Sequence, residues 1–138
     1  MRKVTWVGIV VALVATMVLA ACGGGGGGAA AGPSPERGKA LYESKTLGSK
    51  SAEGCVSCHA YDETKGDDSK APFTKGTGTR AATRVPGMTA EEYIRESINT
   101  PDAYVVEKYK AGDMYQNWAK ELSKQEIDDL VAYLLSEK

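Results

Sequence analysis

The sequence predicts an all-α domain of three to four helices over residues 34–138. Three observations carry that expectation. Thr89-Ala90-Glu91-Glu92 and Ser123-Lys124-Gln125-Glu126 are both capping boxes, in which a hydroxyl and a carboxylate three residues apart each reach the other residue's backbone N–H. Each box opens a run with helical apolar spacing. The third observation is a shortage: one Phe and two Trp among 138 residues are a thin supply for a core. A small domain so provided needs a further packing element.

The first helix is expected from about Glu36 to Ser44. Ser34 is its N-cap and Pro35 its first helical residue. Gly38 and Tyr42 share a face at i, i+4, and a glycine there lets another helix come close. Thr46 to Gly54 is polar and loop-like.

Next comes Cys55-Val56-Ser57-Cys58-His59. Two thiols three apart, followed at once by an imidazole, have the spacing for covalent c-type haem attachment. Both thiols reach the vinyl groups of one porphyrin, and the histidine lies under the ring. His59 is the only histidine in the chain. Two other chemistries use a Cys-x-x-Cys pair. Structural zinc needs four ligands, and only His59 follows Cys58. A redox dithiol belongs in a βαβ setting, and no strand pattern flanks the motif.

Tyr61 to Arg84 has neither helical nor strand period and reads as a long loop. A loop of that length suits a chain wrapped around a cofactor. Phe73 is its apolar point, either packed on the porphyrin or a surface aromatic in a turn. Tyr93, Ile94, Ser97 and Ile98 form one face of the next helix, which stops before Pro101. Asp102 to Asp113 is mixed. Ile127, Leu130, Val131 and Leu134 form the amphipathic stripe of the last helix.

The chain begins with an address. Arg2 and Lys3 precede an apolar run from Val4 to Ala21, and small residues lead up to Cys22. Residues 1–21 read as a signal peptide. Leu19-Ala20-Ala21-Cys22 resembles a bacterial lipobox, which implies a diacylglycerol on the Cys22 thiol. The other reading is an uncleaved span, for which eighteen residues is short. Both put the domain on the extracytoplasmic, periplasmic face, and two acyl chains anchor firmly. Residues 22–33 form a glycine-rich linker that behaves as flexible coil. Its reach is roughly 15–20 Å, enough for a leash or for a spacer above the headgroups.

The formal charge is −1, which gives no sign of a nucleic-acid partner. Loss of Arg2 and Lys3 with the signal takes the 17 basic side chains to 15 against 18 acidic ones, a formal −3. Any docking surface must then be a local patch.

Taken together, Ser34 to Lys138 resembles a class I cytochrome c: an N-terminal helix with Gly38 and Tyr42, the haem motif, a middle helix, a methionine loop and a C-terminal helix with Tyr133. The stretch from Glu92 to Val106 is similar to the cytochrome c domain of caa-type oxidase subunit II. It also suits the monohaem lipoprotein subunit of alternative complex III, a quinol oxidoreductase. The resemblance implies one haem c, a close crossing of first and last helices at Gly38, Tyr42 and Tyr133, and a methionine as second axial ligand. Met1 and Met17 leave with the signal. Met88 precedes a capping box and suits a staple or core contact. Met114 has the family spacing. The family's usual Met-Pro is Met114-Tyr115 here, with Trp118 the nearby aromatic. Loss of that proline points to a softer methionine loop, and to Lys110 as a competing ligand. Pro72 stands where the family has a proline whose carbonyl accepts from the histidine. Arg80 and Arg84 are candidates to pair with a propionate, or solvated loop charges.

The expected function is single-electron transfer by a membrane-tethered carrier, not an enzyme and without a small-molecule substrate. Its expected partners are redox proteins, in a quinol oxidoreductase or a terminal oxidase. The alternatives are a free-standing lipoprotein carrier and a five-coordinate haem sensor or peroxidase-like protein. A purely structural haem subunit is a further one.

Overall fold

In the computed structural model, which describes residues 32–138, Ser34 caps the first helix. Its Oγ accepts from the Arg37 N–H at 3.2 Å. The helix, α1, runs Pro35–Tyr42, starting one residue before and ending two residues before the expected Glu36 to Ser44. The signal peptide, Cys22 and the linker as far as Ala31 lie outside the described residues. Among the described residues no helix is long and apolar enough to cross a membrane.

After α1 the chain makes a small antiparallel ribbon, β1 (Thr46–Leu47) against β2 (Ala52–Glu53). Thr46 pairs with Glu53 and Leu47 with Ala52. The sequence expectation here was loop. Two residues per strand are too few for alternation to register, and burial of Leu47 in the core supplies the missing reason. The Gly54 N–H then donates to the Lys45 carbonyl at 2.8 Å, delivering the chain to Cys55.

A second correction falls in the long loop. Thr77–Ala81 forms a short helix, α2. Its residues, Thr-Gly-Thr-Arg-Ala, have poor helix propensity. Tertiary contact holds it instead: Ala81 is buried and the Gly78 N–H donates to the Glu137 carbonyl at 2.8 Å.

The two capping boxes form as expected. The Thr89 Oγ accepts from the Glu92 N–H, and the Glu92 carboxylate accepts from the Thr89 N–H at 2.8 Å, opening α3 (Ala90–Asn99). Ser123 and Glu126 do the same for α5 (Lys124–Ser136). Ile94 and Ile98 are buried on α3; Ile127, Leu130, Val131 and Tyr133 are buried on α5. A four-residue helix, α4 (Trp118–Glu121), precedes α5. The described residues thus hold three longer helices and two short ones, where three to four were expected.

α5 is the centre of the packing, touching α1, α2 and α3. It crosses α1 at Gly38, where an added Cβ would meet the Asp129 carbonyl oxygen at 1.9 Å. Tyr42 and Tyr133 pack beside that crossing with ring centroids 5.3 Å apart. The crossing is sealed by a charge. Asp129 is buried, yet its carboxylate accepts from Arg37 Nε and Nη2 at 2.7 Å each and from the Ser34 N–H at 2.8 Å. A buried carboxylate needs such donors. They hold its pKa below the ordinary value, the Arg37 hydrogen bonds most of all.

Candidate functional site

The cysteine motif folds as a single 3-10 turn, Cys55–Ser57. The Cys58 and His59 N–H groups both donate to the Cys55 carbonyl, at 3.2 and 2.9 Å. This turn puts both thiols and the imidazole on the wall of one cavity of about 590 Å³. That is within the size of cofactor sites, about 300–1,000 Å³. The wall is largely apolar, with Leu47, Ile94, Ile98, Leu130 and Leu134 contributed by the ribbon, α3 and α5.

The residues of the domain expected to bind the cofactor or its iron meet here. Cys55, Cys58, His59, Pro72, Phe73, Met114 and Trp118 line the same cavity. Met88 does not line it, and Lys110 does. Cys22 lies outside the described residues.

His59 is oriented from behind. Its Nδ1–H donates to the Pro72 carbonyl at 2.8 Å, which leaves Nε2 as the nitrogen free to bind a metal. Burial lowers the His59 pKa, against the opposing pull of that carbonyl, so the ring is neutral at pH 7 and keeps a lone pair. The loop carrying Pro72 is itself pinned. Thr74 is buried, its N–H donates to Ala60 O at 3.0 Å, and its hydroxyl meets the Tyr42 hydroxyl at 2.6 Å.

The Arg80 guanidinium has a role that the sequence did not suggest. It donates to the Phe73 carbonyl at 2.5 Å and the Lys75 carbonyl at 2.6 Å, clamping the segment that follows Pro72. It is neither a solvated loop charge nor free for a propionate alone. Arg84 also lines the cavity, and its Nε is buried with no hydrogen-bond partner. Burial, and then the charge of Arg84, depress the Arg80 pKa. Two neighbouring cations with an orphaned donor fit an anionic group at this wall, as the carboxylates of a haem would be.

The thiols fit haem better than the two other chemistries. Burial pushes the Cys55 thiol up to about 11, away from the thiolate that a redox dithiol requires. Among the described residues no cluster of three or more His, Cys, Asp and Glu side chains could hold a metal ion. A thioether bond needs only the two sulfurs in the wall, where they are.

Three tyrosines in the wall went unremarked as site residues: Tyr93, Tyr104 and Tyr109. Tyr93 and Tyr104 meet edge to face at 5.9 Å. The Tyr109 hydroxyl donates to the Asp68 carbonyl at 3.0 Å, joining the two long loops. The available signal was an apolar Tyr104-Val105-Val106 within an otherwise mixed segment.

No curated protein matches the chain. The family model for cytochrome c does, over residues 35–138, and the chain therefore belongs to the cytochrome c family.

Proposed function

We propose that this chain is a membrane-tethered monohaem cytochrome c that carries single electrons, with His59 and Met114 as its axial ligands. The observation that carries the ligand assignment is the shared cavity. His59 presents a free, neutral Nε2 there, and Met114 is the methionine that lines the same space.

A haem c held in this cavity supplies a centre that takes up and returns one electron. The chain does the rest. Cys55 and Cys58 hold the group covalently. Pro72 fixes the His59 ring and raises its basicity as a ligand. Met114, as the second residue holding the group, would supply a thioether, which favours the reduced state. Leu47, Ile94, Ile98 and Leu130 keep water out of the wall. Were His59 and Met114 both to hold the iron, no position would be left on it for a substrate, which supports a carrier over an enzyme.

The tether rests on the lipobox-like Leu19-Ala20-Ala21-Cys22 and the glycine-rich linker behind it. Membership of a quinol oxidoreductase of the alternative complex III type rests on the likeness of Glu92 to Val106 to such subunits. The neighbouring redox centre would then donate, and a mobile carrier or oxidase would accept.

Carbon monoxide tests the ligand set. The reduced wild-type holoprotein is expected to bind it slowly at neutral pH, and Met114→Ala to bind it fast with a lowered reduction potential. Fast binding by the wild type would instead make this a five-coordinate sensor or peroxidase-like protein. Isolation from membranes in mild detergent tests the host. Co-purifying quinol oxidoreductase subunits are expected, and recovery alone would leave a free-standing carrier.

A further inference from the structure

Met114 stands in a loop with little regular structure, between the turn at Pro101–Ala103 and α4. Its nearer hydrogen bonds are exposed. The Met114 carbonyl accepts from Gln116 Nε2 at 2.8 Å, and Asp102 Oδ1 accepts from Gln116 Nε2 and the Gly112 N–H at 3.1 and 2.9 Å. Water competes for each of these, so they hold the loop weakly.

The next residue is held differently. The Tyr115 ring packs edge to face on Trp118, 4.7 Å between centroids, and Trp118 is buried. The Tyr115 hydroxyl donates to Glu121 Oε1. That carboxylate belongs to a side chain only 2% exposed. Its other oxygen accepts from the Lys50 N–H at 3.2 Å, in the turn of the ribbon that leads to Cys55. Gly48 makes room for it: its φ is +78°, and an added Cβ would lie 2.7 Å from Oε2. Glu121 is therefore a shared acceptor. It joins the loop of Met114 to the segment that enters the cysteine motif.

We propose that Tyr115 is a positioning residue for Met114, its hydroxyl on Glu121 and its ring on Trp118 holding the loop so that the thioether stays in the cavity. The inference rests on the reading of Met114 as an axial ligand. Both Glu121 and Asp102 accept as carboxylates, but the Glu121 side chain is shielded and the Asp102 bonds are exposed to competing water. The Tyr115–Glu121 contact therefore holds the loop more firmly than the Asp102 clasp. Tyr115 thereby supplies a constraint through its side chain and leaves the backbone free of one.

The test uses the reduced holoprotein with four variants. Tyr115→Phe removes only the hydroxyl, Glu121→Ala removes the acceptor, and Glu121→Gln retains one. Met114→Ala sets the fully open limit. Tyr115→Phe and Glu121→Ala are expected to bind carbon monoxide roughly tenfold faster than wild type, the effect of one lost charge-assisted bond on a local opening. Glu121→Gln should fall between them and wild type. Adding Tyr115→Phe to Glu121→Ala should change little, because the Tyr115–Glu121 contact is already absent from the single variant, which also lacks the Lys50 contacts. Amide exchange over residues 110–117 should quicken in parallel. If Met114→Ala binds fast while Tyr115→Phe and Glu121→Ala match the wild type in binding and exchange, the positioning role is overturned even should their unfolding midpoints fall. If Met114→Ala itself matches the wild type, the ligand assignment fails first.

Discussion

The Gly38 Cα lies so close to the Asp129 backbone that a Cβ would sit 1.9 Å from the carbonyl oxygen and 2.8 Å from the Tyr133 Cβ. Backbone on one side and a Cβ on the other leave nothing flexible to yield. Gly38→Ala gains about 1 kcal/mol of helix propensity but must part α1 from α5. Overpacking of this kind costs about 1–3 kcal/mol, and a backbone collision lies at the upper end. The expected outcome is a net loss of stability, with a thermal midpoint lower by about 4–8 °C for each kcal/mol lost. Calorimetry of the holoprotein checks it.

Asp129 predicts a pH dependence at the same crossing. Its folded pKa is depressed, chiefly by Arg37. Its stabilisation is thus present above the ordinary carboxylate value, and it is lost as pH falls through the lower folded value. Asp129→Asn is expected to be less stable than wild type at pH 7, with the gap closing under strong acid. Denaturant titrations at several pH values measure this. A gap independent of pH would mean that shape, and not charge, holds Ser34 and Arg37.

Arg84 predicts a redox effect. Its Nε is buried without a partner, on the cavity wall. A cation there favours the added electron, so Arg84→Gln is expected to lower the reduction potential by on the order of tens of millivolts. Potentiometric titration reads the shift. An unchanged or raised potential would overturn this electrostatic role.

Cys22 predicts the location. With the thiol acylated, the wild-type chain should sediment with membranes and resist a salt wash. Cys22→Ser should release it to the soluble extracytoplasmic fraction. Retention of the variant would favour the uncleaved span or a hold by partner subunits.

The helices with capping boxes were legible because their signals are local. Thr89 with Glu92, and Ser123 with Glu126, lie within one turn of chain, and the amphipathic runs behind them need a core but not its details. The Gly38 contact was legible as an expectation for a similar reason: a glycine on a helix face matters only if something comes close. Thr77–Ala81 was not legible. Its helix exists because Ala81 is buried and Gly78 meets the end of α5, and no residue within the segment announces that.

For the site, the sequence by itself determined the chemistry and its order. Cys55, Cys58 and His59 are close in the chain, so one turn suffices to assemble them. The lone histidine is the one imidazole on offer, and Met114 entered as a candidate only through the resemblance to class I cytochromes c. Tertiary structure decided the second tier. It brought the Pro72 carbonyl to His59 across 13 residues, diverted Arg80 to the Phe73 and Lys75 carbonyls, and buried the Arg84 Nε in the cavity wall. It also set Tyr115 on Glu121, where the sequence had suggested only a missing proline and a softer loop. Those contacts depend on which carbonyl or carboxylate is within about 3 Å in space, and chain distance carries no record of that.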